Sequence, residues 1–290
     1  MTRRTRLAQW GVIRVAGPDA RTFLQGQLTS DLRRVSPTRG TLAAWCNPQG
    51  RALFLGLLGM QGEDFVWLLP STEIERCVKR LRMYVLRAKV TVDDLREGWQ
   101  AAGALDSTAL EAFSCSAPAG LPELVLPTDG LVMTWGPTDE VEAWLLNGDS
   151  RPATEDDWNL AALLAGLPRV DGPTAERFIP QQLNLDRLGV MSFEKGCYAG
   201  QEVIARLKYR GQVRQRLRVG RSRHPLAPGQ RLYREGAQAS QSAGEVLQVM
   251  ASDALWHCTA IIDADCDAPL FVGAPDGPRV DFAPPPHDGG

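Results

Sequence analysis

The chain has 290 residues, 44% of them hydrophobic and 23% charged, with 32 Lys and Arg against 34 Asp and Glu for a formal net charge of -2. That length suits two or three cores, and the composition is ordinary for a globular protein that folds without a partner. The charge balance excludes a global pull toward nucleic acid or a membrane, and no apolar run approaches the roughly 20 residues that a spanning helix needs.

The basic start Met1-Thr-Arg-Arg-Thr-Arg6 has no apolar signal core behind it, so a cytoplasmic location and no membrane partner are expected. Trp10–Val15 reads as a strand, closed by the turn Gly17-Pro18-Asp19. A helix follows with Phe23, Leu24 and Leu28 on one face. The apolar runs Leu42–Cys46 and Ala52–Leu58 flank Asn47-Pro-Gln-Gly50, the pattern of a β-hairpin. Asp64–Leu69 is a third strand. Ser71 then caps a helix with Glu73 and Glu75 in its first turn and Ile74, Val78, Leu81 and Val85 as its buried stripe. Lys89–Val92, Trp99–Ala102 and Leu131–Trp135 read as strands, and Thr108–Phe113 and Asp139–Leu146 as short helices. Residues 116–122 and 148–152 are rich in Pro, Gly and Ser and read as loops or joints.

Thr154 caps a helix that ends at Gly166-Leu167-Pro168. Another helix begins near Gly200 and carries Val203, Ile204 and Leu207. Beyond Gly211 the composition turns to strands, including Gly244–Val249 and Thr259–Asp263, and a small all-β barrel is expected. Strands and helices mixed without strict alternation define an α+β class.

Six cysteines (Cys46, Cys77, Cys115, Cys197, Cys258 and Cys266) are scattered without a Cys-x-x-Cys pair, and the three histidines, His224, His257 and His287, form no cluster with zinc spacing. Neither a disulfide framework nor a protein-built metal site is expected. The most informative stretch is Lys195-Gly-Cys-Tyr-Ala-Gly-Gln-Glu202. Glycines flank Cys197, Lys195 brings a positive charge, and a helix N-terminus follows, all of which favour a thiolate; a small buried hydrophobe is the equal alternative. Tyr198 reads as a stacking surface for a flat heterocycle or as packing, and Glu202 as a ligand contact or a first-turn carboxylate. From Val203 through Arg234 there is no acidic residue, while Arg206, Lys208, Arg210, Arg214, Arg216, Arg218, Arg221 and Arg223 lie within that stretch. With Arg214, Arg216 and Arg218 on one strand face and no counter-charge in the run, an anion site for carboxylates or RNA phosphates is favoured over a solvated face.

Phe23–Asp31, Ala43–Arg51, Phe178–Asp186 and Lys195–Glu202, in that order along the chain, resemble the YgfZ family, whose N-terminal blocks are shared with the aminomethyltransferases. The resemblance implies a three-domain, aminomethyltransferase-like folate-binding fold with a C-terminal barrel. It divides the chain into a discontinuous domain (1–42 plus 151–210), an inserted domain (43–150), the barrel (211–280) and a disordered tail (281–290). It implies tetrahydrofolate or a related folate as ligand, and support of iron–sulfur proteins such as tRNA-thiolating enzymes. Cys197 is then the key thiol, Lys195 meets the folate, Tyr198, Gln201 and Glu202 shape its pocket, and Arg206, Arg214 and Arg216 hold its glutamate tail or a macromolecule. The catalytic Asp pair of the transferases falls on Leu53 and Phe54, and a Glu on Leu164. Loss of a general base costs about 10² to 10⁴ in rate, which argues against ordinary aminomethyl transfer. Two alternatives stay open: a one-carbon transferase of another route, and a direct tRNA-binding module.

Overall fold

A computed structural model of the chain describes residues 3–37, 39–105, 123–125, 131–146, 153–238, 240–252 and 254–283. They form two compact units, one from Met1–Trp158, Val170–Arg177 and Val190–Gln201, the other from Asn159–Arg169, Phe178–Gly189 and Glu202–Gly290.

The first unit is built from β1 (Arg3–Arg6), β2 (Trp10–Ala16), α1 (Ala20–Gln25), β3 (Thr41–Cys46), β4 (Ala52–Gln61), β5 (Asp64–Pro70), α2 (Ile74–Tyr84), β6 (Thr91–Asp94), β7 (Trp99–Leu105), β8 (Glu123–Val125), β9 (Leu131–Pro137), α3 (Thr138–Leu146) and α4 (Glu155–Leu164), the last running on into the second unit. Its two antiparallel sheets have the orders β3-β4-β5-β2-β6 and β1-β7-β9-β8. The expected hairpin is β3–β4, with Trp45 opposite Phe54 and a register shift before Cys46. β4 is one continuous apolar run because both of its faces are covered. Ile13, Leu24, Trp45, Phe65 and Trp67 form the core on one side with Ile74, Cys77, Val78 and Leu81 of α2, an i, i+3, i+4, i+7 stripe. The second sheet approaches β4 through Trp135, whose ring stands where a Gly59 side chain would be, 2.2 Å from the ideal Cβ position.

Several expectations are corrected. Leu28 lies beyond the end of α1, in a bridge with Trp45. Ser71 opens a 3-10 turn, Ser71–Glu73, ahead of α2, so it does not cap that helix. The joint placed at 42/43 falls inside β3, and β2 is hydrogen-bonded to both β5 and β6, so the two stretches share one sheet. Thr154 caps α4 as expected: its Oγ1 accepts from the Asp157 N–H at 3.1 Å while the Asp157 carboxylate accepts from the Thr154 N–H at 2.9 Å. The stretches 108–113, 116–122 and 148–152, with Cys115 and His287, lie outside the described residues.

The second unit contains most of α5 (Gln201–Arg210) and then β10 (Gln215–Ser222), β11 (Arg231–Tyr233), β12 (Ser242–Ser252), β13 (Leu255–Asp263), β14 (Leu270–Val272) and β15 (Arg279–Ala283). These strands close a six-membered antiparallel barrel in the order β10-β13-β12-β11-β14-β15. Closure falls to β15, which pairs with both β14 and β10. The tail expected to be disordered from 281 is therefore ordered through Ala283, because Asp281, Phe282 and Ala283 complete the ladder with β10. Leu232, Val246, Cys258, Ala260, Ile262 and Val280 fill its core.

Gly59→Ala should cost about 1–3 kcal/mol by overpacking against Trp135, read from urea denaturation. An unchanged midpoint would contradict the tight approach of the two sheets.

Candidate thiol site

The loop between α1 and β3 and the segment that precedes α5 are laced together inside the first unit. Thr29 pairs with Ala44 of β3, N–H to carbonyl at 2.8 Å, and its own carbonyl accepts from Ser192 N–H at 2.9 Å. Ser30 Oγ lies 2.6 Å from both the Leu42 and the Val190 carbonyl oxygens. Gln25 clamps the loop locally: its Oε1 accepts from the Leu32 N–H at 2.8 Å and its Nε2 donates to Asp31 at 3.0 Å. Arg33 hydrogen bonds to Asp31 hold that carboxyl far below the usual carboxylate range.

Lys195 stands at the centre of this network. It is buried, and its Nζ donates to the carbonyls of Gln25 at 2.6 Å, Leu28 at 2.5 Å and Ser30 at 2.9 Å. An ammonium has three N–H groups, so none is left for the Cys197 sulfur or for a ligand. This is a correction to its expected placing: the side chain turns into the fold as a structural pin. Burial pulls the ammonium down to about 8, Asp31 opposes that fall and Arg33 adds to it, so the group stays charged at neutral pH.

With Lys195 drawn inward, Cys197 two residues on is exposed. Next to it, nothing beyond the adjoining residues stands within 4 Å of the position a Gly196 side chain would occupy. Cys46, Cys77, Cys258 and Cys266 are all buried; burial pushes the Cys46 and Cys258 thiols up to about 12 and Cys77 well above its ordinary value. Cys197 is thus the one exposed thiol among the described residues. Gly200, at φ +79°, lies so close to the Asn47–Gly50 turn that a Cβ would sit 2.6 Å from the Asn47 carbonyl oxygen, and this contact fixes where α5 begins.

Tyr198 is buried, and its ring faces the Lys195 ammonium at 4.9 Å, so it is not an open stacking platform. Its hydroxyl is buried without a hydrogen-bond partner among the described residues, and burial pushes it above the ordinary phenol range. Gln201 donates to the Lys195 carbonyl at 3.4 Å, and Glu202 is exposed in the first turn of α5.

In the second unit the basic run separates by partner. Arg214 lies ahead of β10, so it does not share a strand face with Arg216 and Arg218. Arg216 makes a bidentate pair with Asp186 at 3.0 Å on both arms and donates to the Gln181 carbonyl at 2.9 Å. Arg218 is buried and donates to the Ala283 carbonyl at 3.2 Å. The counter-charge absent from the run in sequence comes from Asp186, thirty residues before Arg216, so Arg216 is a structural ion pair. Arg206 and Arg214 are exposed. Leu53 and Phe54 are buried in the first unit, Phe54 under the Arg76 guanidinium at 4.3 Å, and neither offers a carboxylate. Among the described residues no group of three or more His, Cys, Asp and Glu is placed to hold a metal, and no helix is long and apolar enough to cross a membrane.

No family model matches the chain. Its structure is similar to that of the glycine cleavage system aminomethyltransferase T from Bartonella henselae, with a TM-score of 0.72 over 98% of this chain and 85% of that one at 15% identity, which defines the fold. In sequence it is 31% identical to the tRNA-modifying protein YgfZ of Edwardsiella ictaluri over 94% of this chain and 88% of that protein. It is 36% identical to an uncharacterized protein of Haemophilus influenzae, over 71% and 68% of the two chains. The chain belongs to the YgfZ family.

Sequence reasoning missed Gln25, Ser30 and Asp31 as parts of the site; the available signal was the Phe23–Asp31 block, which carried the resemblance without an assigned role. Lys195→Met should destabilise the protein by about 2–4 kcal/mol, since it strands three buried carbonyls. The folded-state value of about 8 lies below the ordinary 10.5, so between them the unfolded chain holds more protons and the stability contributed at Lys195 rises with pH. Urea midpoints of wild type and variant should therefore diverge as pH rises from 8 to 10.5; convergence would contradict the burial of a charged amine.

Proposed function

We propose that this protein is a folate-binding accessory factor that supports iron–sulfur enzymes, including those that modify tRNA, through the thiol of Cys197. The observation that carries the proposal is the contrast among the cysteines of the described residues: four are buried, and Cys197 is held out on a loop whose neighbouring ammonium is drawn inward. An exposed thiol beside open space is the setting of redox and sulfur chemistry rather than of packing. The name of the relatives, tRNA-modifying proteins, supports the tRNA connection, and the T-protein fold supports a folate ligand.

The buried, unpartnered Tyr198 hydroxyl fits a ligand that completes its hydrogen bonding. Tyr198 and Gln201 are the first-unit residues assigned to it. Separately, the exposed Arg206 and Arg214 of the second unit offer cations to an anionic partner, whereas Arg216 is already held by Asp186. Tetrahydrofolate, when bound, supplies a reduced pterin able to carry a one-carbon unit. The chain's own residues argue against the transferase alternative, because Leu53, Phe54 and Leu164 offer no group to take up a proton. The proposed location is the cytoplasm, where free thiols stay reduced.

Cys197→Ser should keep the wild-type thermal midpoint and fail to restore thiolated tRNA in cells that lack the protein. Restoration at the wild-type level would remove the thiol role. Calorimetric titration with tetrahydrofolate should show binding that weakens about three- to tenfold in Tyr198→Phe, the cost of one hydrogen bond. Absence of binding under oxygen-free reducing conditions would remove the folate.

A further inference from the structure

We propose that the barrel carries a separate site for the phosphodiester backbone of RNA, in the groove where the end of β10 meets β15. The groove encloses about 450 Å³, and Arg221, Arg223, His224, Arg279, Asp281 and Leu255 line it. Its charge is unbalanced. Asp281, the one carboxylate lining it among the described residues, is paired with Arg279 of its own strand at 2.7 Å. The side chains of Arg221 and Arg223 are exposed and form no hydrogen bond or ion pair among the described residues. The basic run thus divides: Arg216 and Arg218 turn to Asp186 and the Ala283 carbonyl, while Arg221 and Arg223 are left facing solvent in a concave surface.

A concave cationic site focuses its field on anions, and guanidinium forks match phosphate oxygens. Arg221 lies at the end of β10 and Arg223 in the bend just past it, so the groove presents two separate guanidiniums, which suits two successive anionic groups better than one. A repeating anion of that kind is a nucleic-acid backbone. An acidic lipid surface fits less well, because no exposed large hydrophobic side chain lines the groove. Ser222, between the two arginines, is buried and anchors the site: its Oγ donates to the Arg279 carbonyl at 2.8 Å and accepts from the His224 N–H at 3.1 Å. The inference rests on the barrel alone, so a failed folate titration leaves it standing.

The test is fluorescence anisotropy of a labelled single-stranded RNA with the full chain across a salt series, for wild type, Arg221→Gln/Arg223→Gln and Arg231→Gln, the last an exposed arginine on β11 outside the groove. The account expects wild-type binding at low salt and at least tenfold weaker binding for the double variant. Its salt slope should be about 1.4 smaller, near 0.7 for each phosphate left without its arginine, with Arg231→Gln close to wild type. Equal binding by wild type and double variant, no binding at low salt, displacement of the RNA by equimolar inorganic phosphate or ATP, or binding to phosphatidylserine vesicles in place of RNA would each overturn it.

Discussion

A buried ammonium has few ways to be tolerated, and Lys195 uses the most demanding of them: every N–H is given to a carbonyl of one short loop. Charge-assisted bonds of this kind are strong, and the desolvation they offset is large, so the arrangement persists only if the Gln25, Leu28 and Ser30 carbonyls converge. That convergence depends in turn on Gln25, Asp31 and the bridges to β3. Between Lys195 and Tyr198, both turned into the core, the chain surfaces at Gly196 and Cys197.

Much of the fold is legible where local chemistry and tertiary packing agree. The β3–β4 hairpin follows from two apolar runs around Asn47–Gly50, and α4 begins at its capping Thr154. Disagreement arises where distant partners decide. The last three residues of β15, Asp281–Ala283, read as the start of a tail, and they join the strand because β10 would otherwise keep an open edge. Lys195 reads from sequence as the electrostatic partner of a thiol two residues away, yet its partners lie about 170 positions upstream. Arg216 reads as free because its own run holds no acid, and Asp186 is supplied by a separate segment. Spacing along the chain locates the site, and only the fold shows which cations already have partners.

The family likeness and the geometry meet at the same eight-residue stretch, Lys195–Glu202. The T-protein fold is retained at 15% identity with hydrophobic Leu53 and Phe54 buried where the resemblance places the transferase carboxylates. With core residues at those positions the chain offers no carboxylate there, and among the described residues Cys197 is the exposed thiol.

The most direct measurement is peptide-resolved alkylation of the native protein with iodoacetamide at neutral pH, followed by mass spectrometry. The account requires Cys197 to be modified at a rate near that of an unfolded-chain cysteine, with Cys46, Cys77, Cys258 and Cys266 protected until the protein is denatured. Protection of Cys197, or modification of the four buried thiols at a comparable rate, would contradict it.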